Sequence, residues 1–160
     1  MTQRCGYVSI VGKPNVGKSS LLNALVGHKV SIVSDKPGTT RHRVYGSVTK
    51  GDAQALFTDT PGLFVPSREI DRFMEKMVLR AVEGVDLVVF VSDNRGPEEL
   101  DQRMLTTIKI RGHGAPVVLA LNKMDRLGNT LQLAKLIEQW RPLHDWKAVV
   151  PICVQSGERL

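Results

Sequence analysis

No apolar run in the chain approaches the roughly 18 residues needed for a bilayer-spanning helix, so no transmembrane segment is expected. The N-terminus, Met1-Thr2-Gln3-Arg4-Cys5, lacks the apolar stretch of a signal peptide, and a cytoplasmic location is the expectation that follows. Peripheral contact with a membrane is left open. Only two cysteines are present, Cys5 and Cys153, too few for a disulfide scaffold, and both read as reduced structural thiols. The histidines His28, His42, His113 and His144 fall at no metal-ligand spacing, and no Cys/His cluster suggests zinc. A nucleophilic triad cannot be argued from residue order alone. Internal repeats, low-complexity tracts and dividing linkers are also missing, so the 160 residues are expected to form one domain. A hydrophobic fraction of 42% and a charged fraction of 24% argue against disordered or fibrous chains. The net charge of +6 suits an acidic partner such as nucleic acid, although charge alone is weak support.

What is present is a recurring alternation of short apolar runs and helical stretches. Tyr7 to Val11, Ala53 to Phe57, Leu87 to Val91, Val117 to Leu121 and Ala148 to Val154 read as strands. These runs do not alternate polar with apolar residues, as a parallel sheet covered by helices on both faces demands. The expected class is therefore α/β, in three layers. Val44 to Thr49 alternates more, and Lys50-Gly51-Asp52 separates it from the next run, which predicts a hairpin and one antiparallel edge strand. Helices are expected over Ser19 to Val26, Glu69 to Val82, Leu100 to Arg111 and Leu131 to Trp140. Pro97-Glu98-Glu99 suits the start of the third. In the second, Ile70, Phe73, Met74, Met77, Val78 and Ala81 recur at helical spacing and read as a core stripe. Trp140 and Trp146 read as packing residues at the end of the last helix and in the loop after it.

Chemistry enters where the first strand runs into Gly12-Lys13-Pro14-Asn15-Val16-Gly17-Lys18-Ser19, with Ser20 next, a phosphate-loop pattern matched at every fixed position. Backbone N–H groups of such a turn converge on phosphate oxygens at a helix N-terminus. Lys18 would reach the terminal phosphates, and the Ser19 hydroxyl would ligate Mg²⁺. Asp59-Thr60-Pro61-Gly62 places a carboxylate for Mg²⁺ at a strand end, with Gly62 offering its N–H to a γ-phosphate. Asn122-Lys123-Met124-Asp125 follows the fourth apolar run. Asp125 would accept from guanine N1–H and the 2-amino group, whereas adenine would leave that carboxylate unpaired. In this order the three motifs point to GTP and GDP as ligands. Between Gly27 and Arg43 lies a turn-rich segment able to supply a threonine to the metal; Thr40 is preferred over Thr39, and the choice stays open. Lys36, Arg41, His42 and Arg43 make it basic, with RNA contact and a solvated face weighing about equally.

Taken together, Gly12 to Ser19, Thr39-Thr40-Arg41-His42-Arg43, Asp59-Thr60-Pro61-Gly62-Leu63 and Ala115 to Asp125 resemble the TrmE-Era-EngA-like GTPases of the translation factor-related class, the Era branch most. The resemblance implies an Era-type G domain over residues 1–160 with a P-loop NTPase fold. It implies slow GTP hydrolysis, with Lys18, Thr40 and Gly62 in catalytic roles, and a partner in ribosomal RNA or the pre-ribosomal small subunit. Leu63 stands where related GTPases carry a water-positioning glutamine, so another group must assist hydrolysis. Asn15 matches an asparagine that helps some relatives bind potassium beside the phosphates. Cys153-Val154-Gln155-Ser156-Gly157 aligns with a guanine-loop motif that normally has serine and alanine at its first two positions. Weakened rather than abolished binding is expected, with Val154 still donating its N–H to guanine O6. The last G-domain helix and the RNA-binding KH domain of that branch have no counterpart before Leu160. Two alternatives stand beside this reading. One is an EngA-like or tRNA-modification-type domain, and the other a module that senses GTP or GDP without appreciable turnover.

Overall fold

Strands β1 (Arg4–Val11), β2 (Val44–Lys50), β3 (Ala53–Asp59), β4 (Leu87–Ser92), β5 (Val117–Leu121) and β6 (Trp146–Pro151) alternate with helices α1 (Lys18–Val26), α2 (Ile70–Val82), α3 (Glu99–Arg111) and α4 (Thr130–Trp140). They belong to a computed structural model that describes residues 4–27, 44–59 and 70–157. The strands form one sheet in the order β2-β3-β1-β4-β5-β6. Only β2 runs antiparallel, paired with β3 from Val44↔Asp59 to Lys50↔Ala53. That register leaves Gly51 and Asp52 as a two-residue turn, and Gly51 takes the positive φ of 62° such turns require. The remaining ladders are parallel.

The even apolar character of the central strands is explained by two cores. Val88 and Phe90 of β4 and Val117, Leu119 and Leu121 of β5 pack with Val78, Ala81 and Val82 of α2, Met104, Leu105 and Ile108 of α3, and Leu136 and Trp140 of α4. The neighbouring side chains point the other way. Val8, Ile10, Val91, Ala120 and Ile152 meet Leu21 and Leu22 of α1. Each fully buried Val, Leu or Ile contributes about 1.5–3 kcal/mol relative to exposure, so the fold rests on both layers. Trp140 is fully buried against Phe90 and Trp146, with ring centroids 5.8 to 6.2 Å apart, and all three rings serve packing. The Trp146 indole N–H donates to the Trp140 carbonyl at 2.8 Å. Trp146 thereby belongs to a strand rather than the expected loop: β6 starts there, across a bulge opposite Val117 and Val118, and ends at Pro151 instead of Val154. Among the described residues no helix is long and apolar enough to cross a membrane.

Candidate functional site

In an open α/β sheet, ligands bind beyond the carboxyl ends of the parallel strands. Here those ends deliver Gly12 after β1, Asp59 closing β3, Asp93 after β4, Asn122 after β5, and Cys153 just beyond β6 to one edge. The turn after β1 has a backbone only glycine adopts easily. Gly12 has φ 150° and Gly17 φ 103°; a Cβ on Gly12 would run into the Val91 carbonyl, and one on Gly17 into the Asn122 side-chain amide. Val16 is fully buried and anchors the turn to the core beneath α1. Pro14 is half-buried, while Ser19 and Ser20 sit in the first turn of α1.

Lysines and carboxylates organise this edge. Lys18 Nζ donates to the Lys13 carbonyl at 2.7 Å. The Lys13 side chain turns the other way, with Nζ 2.8 Å from Asp101 Oδ2 and 3.1 Å from Glu98 Oε2 at the start of α3. Lys123 Nζ donates to the Asn15 carbonyl at 2.5 Å and lies 3.7 Å from Asp93 Oδ2. Asp93 also receives a fork from Arg95, with Nε to Oδ1 at 3.1 Å and Nη2 to Oδ2 at 2.8 Å. Burial pushes the Asp93 carboxyl up, but the Arg95 side chain and amide, with Lys123, outweigh it and hold it below the ordinary range. At Asp101 burial prevails over Lys13 and the Glu98 amide, and its carboxyl is pushed above the ordinary range.

Asn122 joins the two loops. Its Nδ2 donates to the Val16 carbonyl at 2.9 Å, and its Oδ1 accepts from the Val154 N–H at 3.2 Å. The N–H that resemblance assigned to guanine O6 is thus engaged by Asn122, so a bound base would have to share it or displace that contact. Cys153, 3% exposed, directs Sγ at Asp125 Oδ1 over 3.1 Å, so the thiol orients the carboxylate expected to read guanine. Lys123 takes φ 62°, a left-handed turn that carries the chain from β5 into the short helix Met124–Arg126 holding Asp125.

Gly12, Lys13, Pro14, Asn15, Val16, Gly17, Lys18, Ser19, Ser20, Asn122, Lys123, Asp125, Cys153 and Val154 therefore share one edge. Thr40, Thr60, Pro61, Gly62 and Leu63 lie outside the described residues, as does the side chain of Asp59. The sequence offered Glu98 only as part of a helix start and did not single out Asp93, Arg95 or Asp101. Asp93 carried one usable signal, since it follows a parallel strand at the position where Asn122 follows the next. Hydroxyl and carboxylate oxygens at Ser19 and Asp59 are hard donors that fit Mg²⁺ shared with phosphate oxygens. Among the described residues no three His, Cys, Asp or Glu side chains gather as a protein-only metal site.

A family model described as 50S ribosome-binding GTPase matches residues 7–123. The GTPase Era of Pasteurella multocida is 44% identical over 157 residues, which is 98% of this chain and 51% of that protein. The chain thus spans about half the length of the curated relatives it matches. A variant of Aquifex aeolicus Era bound to GDP.AlF4- superposes with a TM-score of 0.83 at 38% identity, covering 96% of this chain and 52% of that one. Era in complex with MgGDPNP and nucleotides 1506–1542 of 16S ribosomal RNA gives 0.81 at 36% identity, over 97% and 53% of the two chains. With the family model spanning most of the chain and the Era structures sharing its fold, this chain belongs to the 50S ribosome-binding GTPase family and has a G domain of the Era-like type.

Proposed function

We propose that the chain binds GTP and GDP with Mg²⁺, hydrolyses GTP slowly, and acts in the cytoplasm as a switch on ribosomal RNA or the pre-ribosomal small subunit. The observation that carries the nucleotide reading is the double contact of Asn122 with Val16 and Val154. It makes the phosphate loop and the base-reading loop one body, so phosphates and guanine are read at a fixed separation. The RNA reading rests on the similarity to Era, one structure of which contains a 16S ribosomal RNA fragment.

In this reading water attacks the γ-phosphate in line, and no covalent intermediate is needed. Lys18 and the backbone N–H groups from Asn15 to Ser19 supply fixed positive charge where charge spreads over the transferred phosphoryl group. Ser19 and Asp59, with Thr40 as the preferred third residue, would hold Mg²⁺, whose charge offsets that of the phosphates. Gly62 would offer its N–H to the γ-phosphate. Asn15 has φ 62° and its carbonyl accepts from Lys123; its side-chain amide oxygen would be the group that holds K⁺.

A second reading, a GTP- or GDP-sensing module without appreciable turnover, draws on Leu63 and on the cysteine and valine in the guanine loop. Single-turnover phosphate release separates the two. Release by the parent protein that disappears in Lys18→Ala supports the enzyme, and no release above the Lys18→Ala background supports the sensor.

A further inference from the structure

Lys13 is held at both ends. Its carbonyl accepts from Lys18 Nζ at 2.7 Å, while its own ammonium, on a residue only 5% exposed, sits against Asp101 and Glu98. Asp101 is completely buried at the third position of α3 and forms a capping box with Glu98, accepting the Glu98 N–H on Oδ2 at 2.9 Å. The same Oδ2 carries the ion pair to Lys13, and Oδ1 is buried without a hydrogen-bond partner. The ammonium lies 2.8 Å from Asp101 Oδ2 and 3.1 Å from Glu98 Oε2, so the pair is held by charge at short range.

Such a pair is a poor device for stability. Both ions lose their hydration, the attraction does little more than offset that loss, and well-packed apolar residues of similar volume usually serve as well or better. What a buried, unsaturated pair does fix is position, because neither charge can leave without stranding the other. The position fixed here is that of the residue whose carbonyl holds the phosphate-binding lysine.

We infer that Asp101, assisted by Glu98, is a positioning residue for the nucleotide's phosphates, acting through Lys13 to set the place of Lys18. The N-terminus of α3 is then part of the phosphate site through Lys13. The inference rests on the reading of Gly12 to Ser19 as a GTP site, and it goes further by making α3 a lever: a partner that shifts α3 changes phosphate binding without entering the site.

The test uses the apolar double variant Lys13→Met/Asp101→Leu beside Lys13→Arg, which keeps the pair. Three quantities are measured: thermal midpoint without nucleotide, GDP affinity, and the single-turnover rate at saturating GTP. The double variant is expected to keep or raise the midpoint while GDP binding weakens about ten- to a hundredfold and the saturated rate falls, as misplacement of a charge-bearing group by about 1 Å costs. Lys13→Arg, which keeps the charge pair, should lose far less affinity and rate than the double variant. A purely structural role would lower the midpoint and spare the saturated rate. The inference is overturned if the double variant binds and turns over like the parent, or if its losses follow a lowered midpoint that Lys13→Arg shares. A parent protein that binds no guanine nucleotide would instead overturn the GTP reading beneath it.

Discussion

A thiol donates a weaker hydrogen bond than a hydroxyl, and at Cys153 that difference falls on the Asp125 carboxylate 3.1 Å away. Serine at this position should hold the carboxylate more firmly and tighten GDP binding about two- to fivefold, whereas Cys153→Ala should weaken it by a similar factor. Isothermal titration of the three proteins orders them. An alanine variant as tight as the serine variant would show that the thiol does not orient Asp125. Asn15 poses a separate question at the same scale. If its side chain holds K⁺, turnover in potassium exceeds that in sodium, and Asn15→Ala removes the difference; equal rates in both salts reject that role.

At the scale of elements, β4 and α3 carry the two carboxylates whose surroundings act in opposite directions. Asp93 is held below the ordinary range, so its contribution to stability is present above the unfolded value of about 3.9 and is lost as pH falls through the folded value. Asp101 is pushed above the ordinary range, so its burial weighs on stability at neutral pH and that load lifts as pH falls through its raised value. Urea unfolding as a function of pH should therefore show the advantage of the parent over Asp93→Asn shrinking below about pH 3.9. The difference between the parent and Asp101→Asn should move in the parent's favour on acidification, starting above pH 3.9. Parallel profiles for both variants would contradict the assignment.

These elements also show what a sequence can and cannot disclose. β5 spans the expected Val117 to Leu121, and the helices begin within a residue of their expected starts, because apolar period and cap chemistry are local. Gly12 to Ser19 and Asn122 to Asp125 were legible for the same reason. The pairing of Lys13 with Asp101 was not, since two ordinary charged residues far apart in the chain become a buried ion pair only once β1 and α3 are set side by side. Trp146 was placed in a loop because the strand it begins is interrupted by a bulge, which breaks the pattern of the run that follows.

For the molecule as a whole, the ordering of the sheet is what turns separate motifs into one site. Placing β1 between β3 and β4 brings Gly12 beside the ends that carry Asp59 and Asp93, and β5 beside β4 brings Asn122 within reach of Val16. Two apolar layers clamp that order from opposite faces, and no disulfide takes part: Cys5 and Cys153 are both free. On the α1 side, Leu87, Val89 and Val150 are half-buried at the margin of the second core. Selection of guanine over adenine is the property this edge should confer. Titration calorimetry of GDP and ADP against the parent protein and Asp125→Ala tests it most directly. The parent should bind GDP about a hundredfold or more tighter than ADP, through a carboxylate that adenine cannot satisfy, and Asp125→Ala should close the gap. Equal affinity of the parent for the two nucleotides would contradict it.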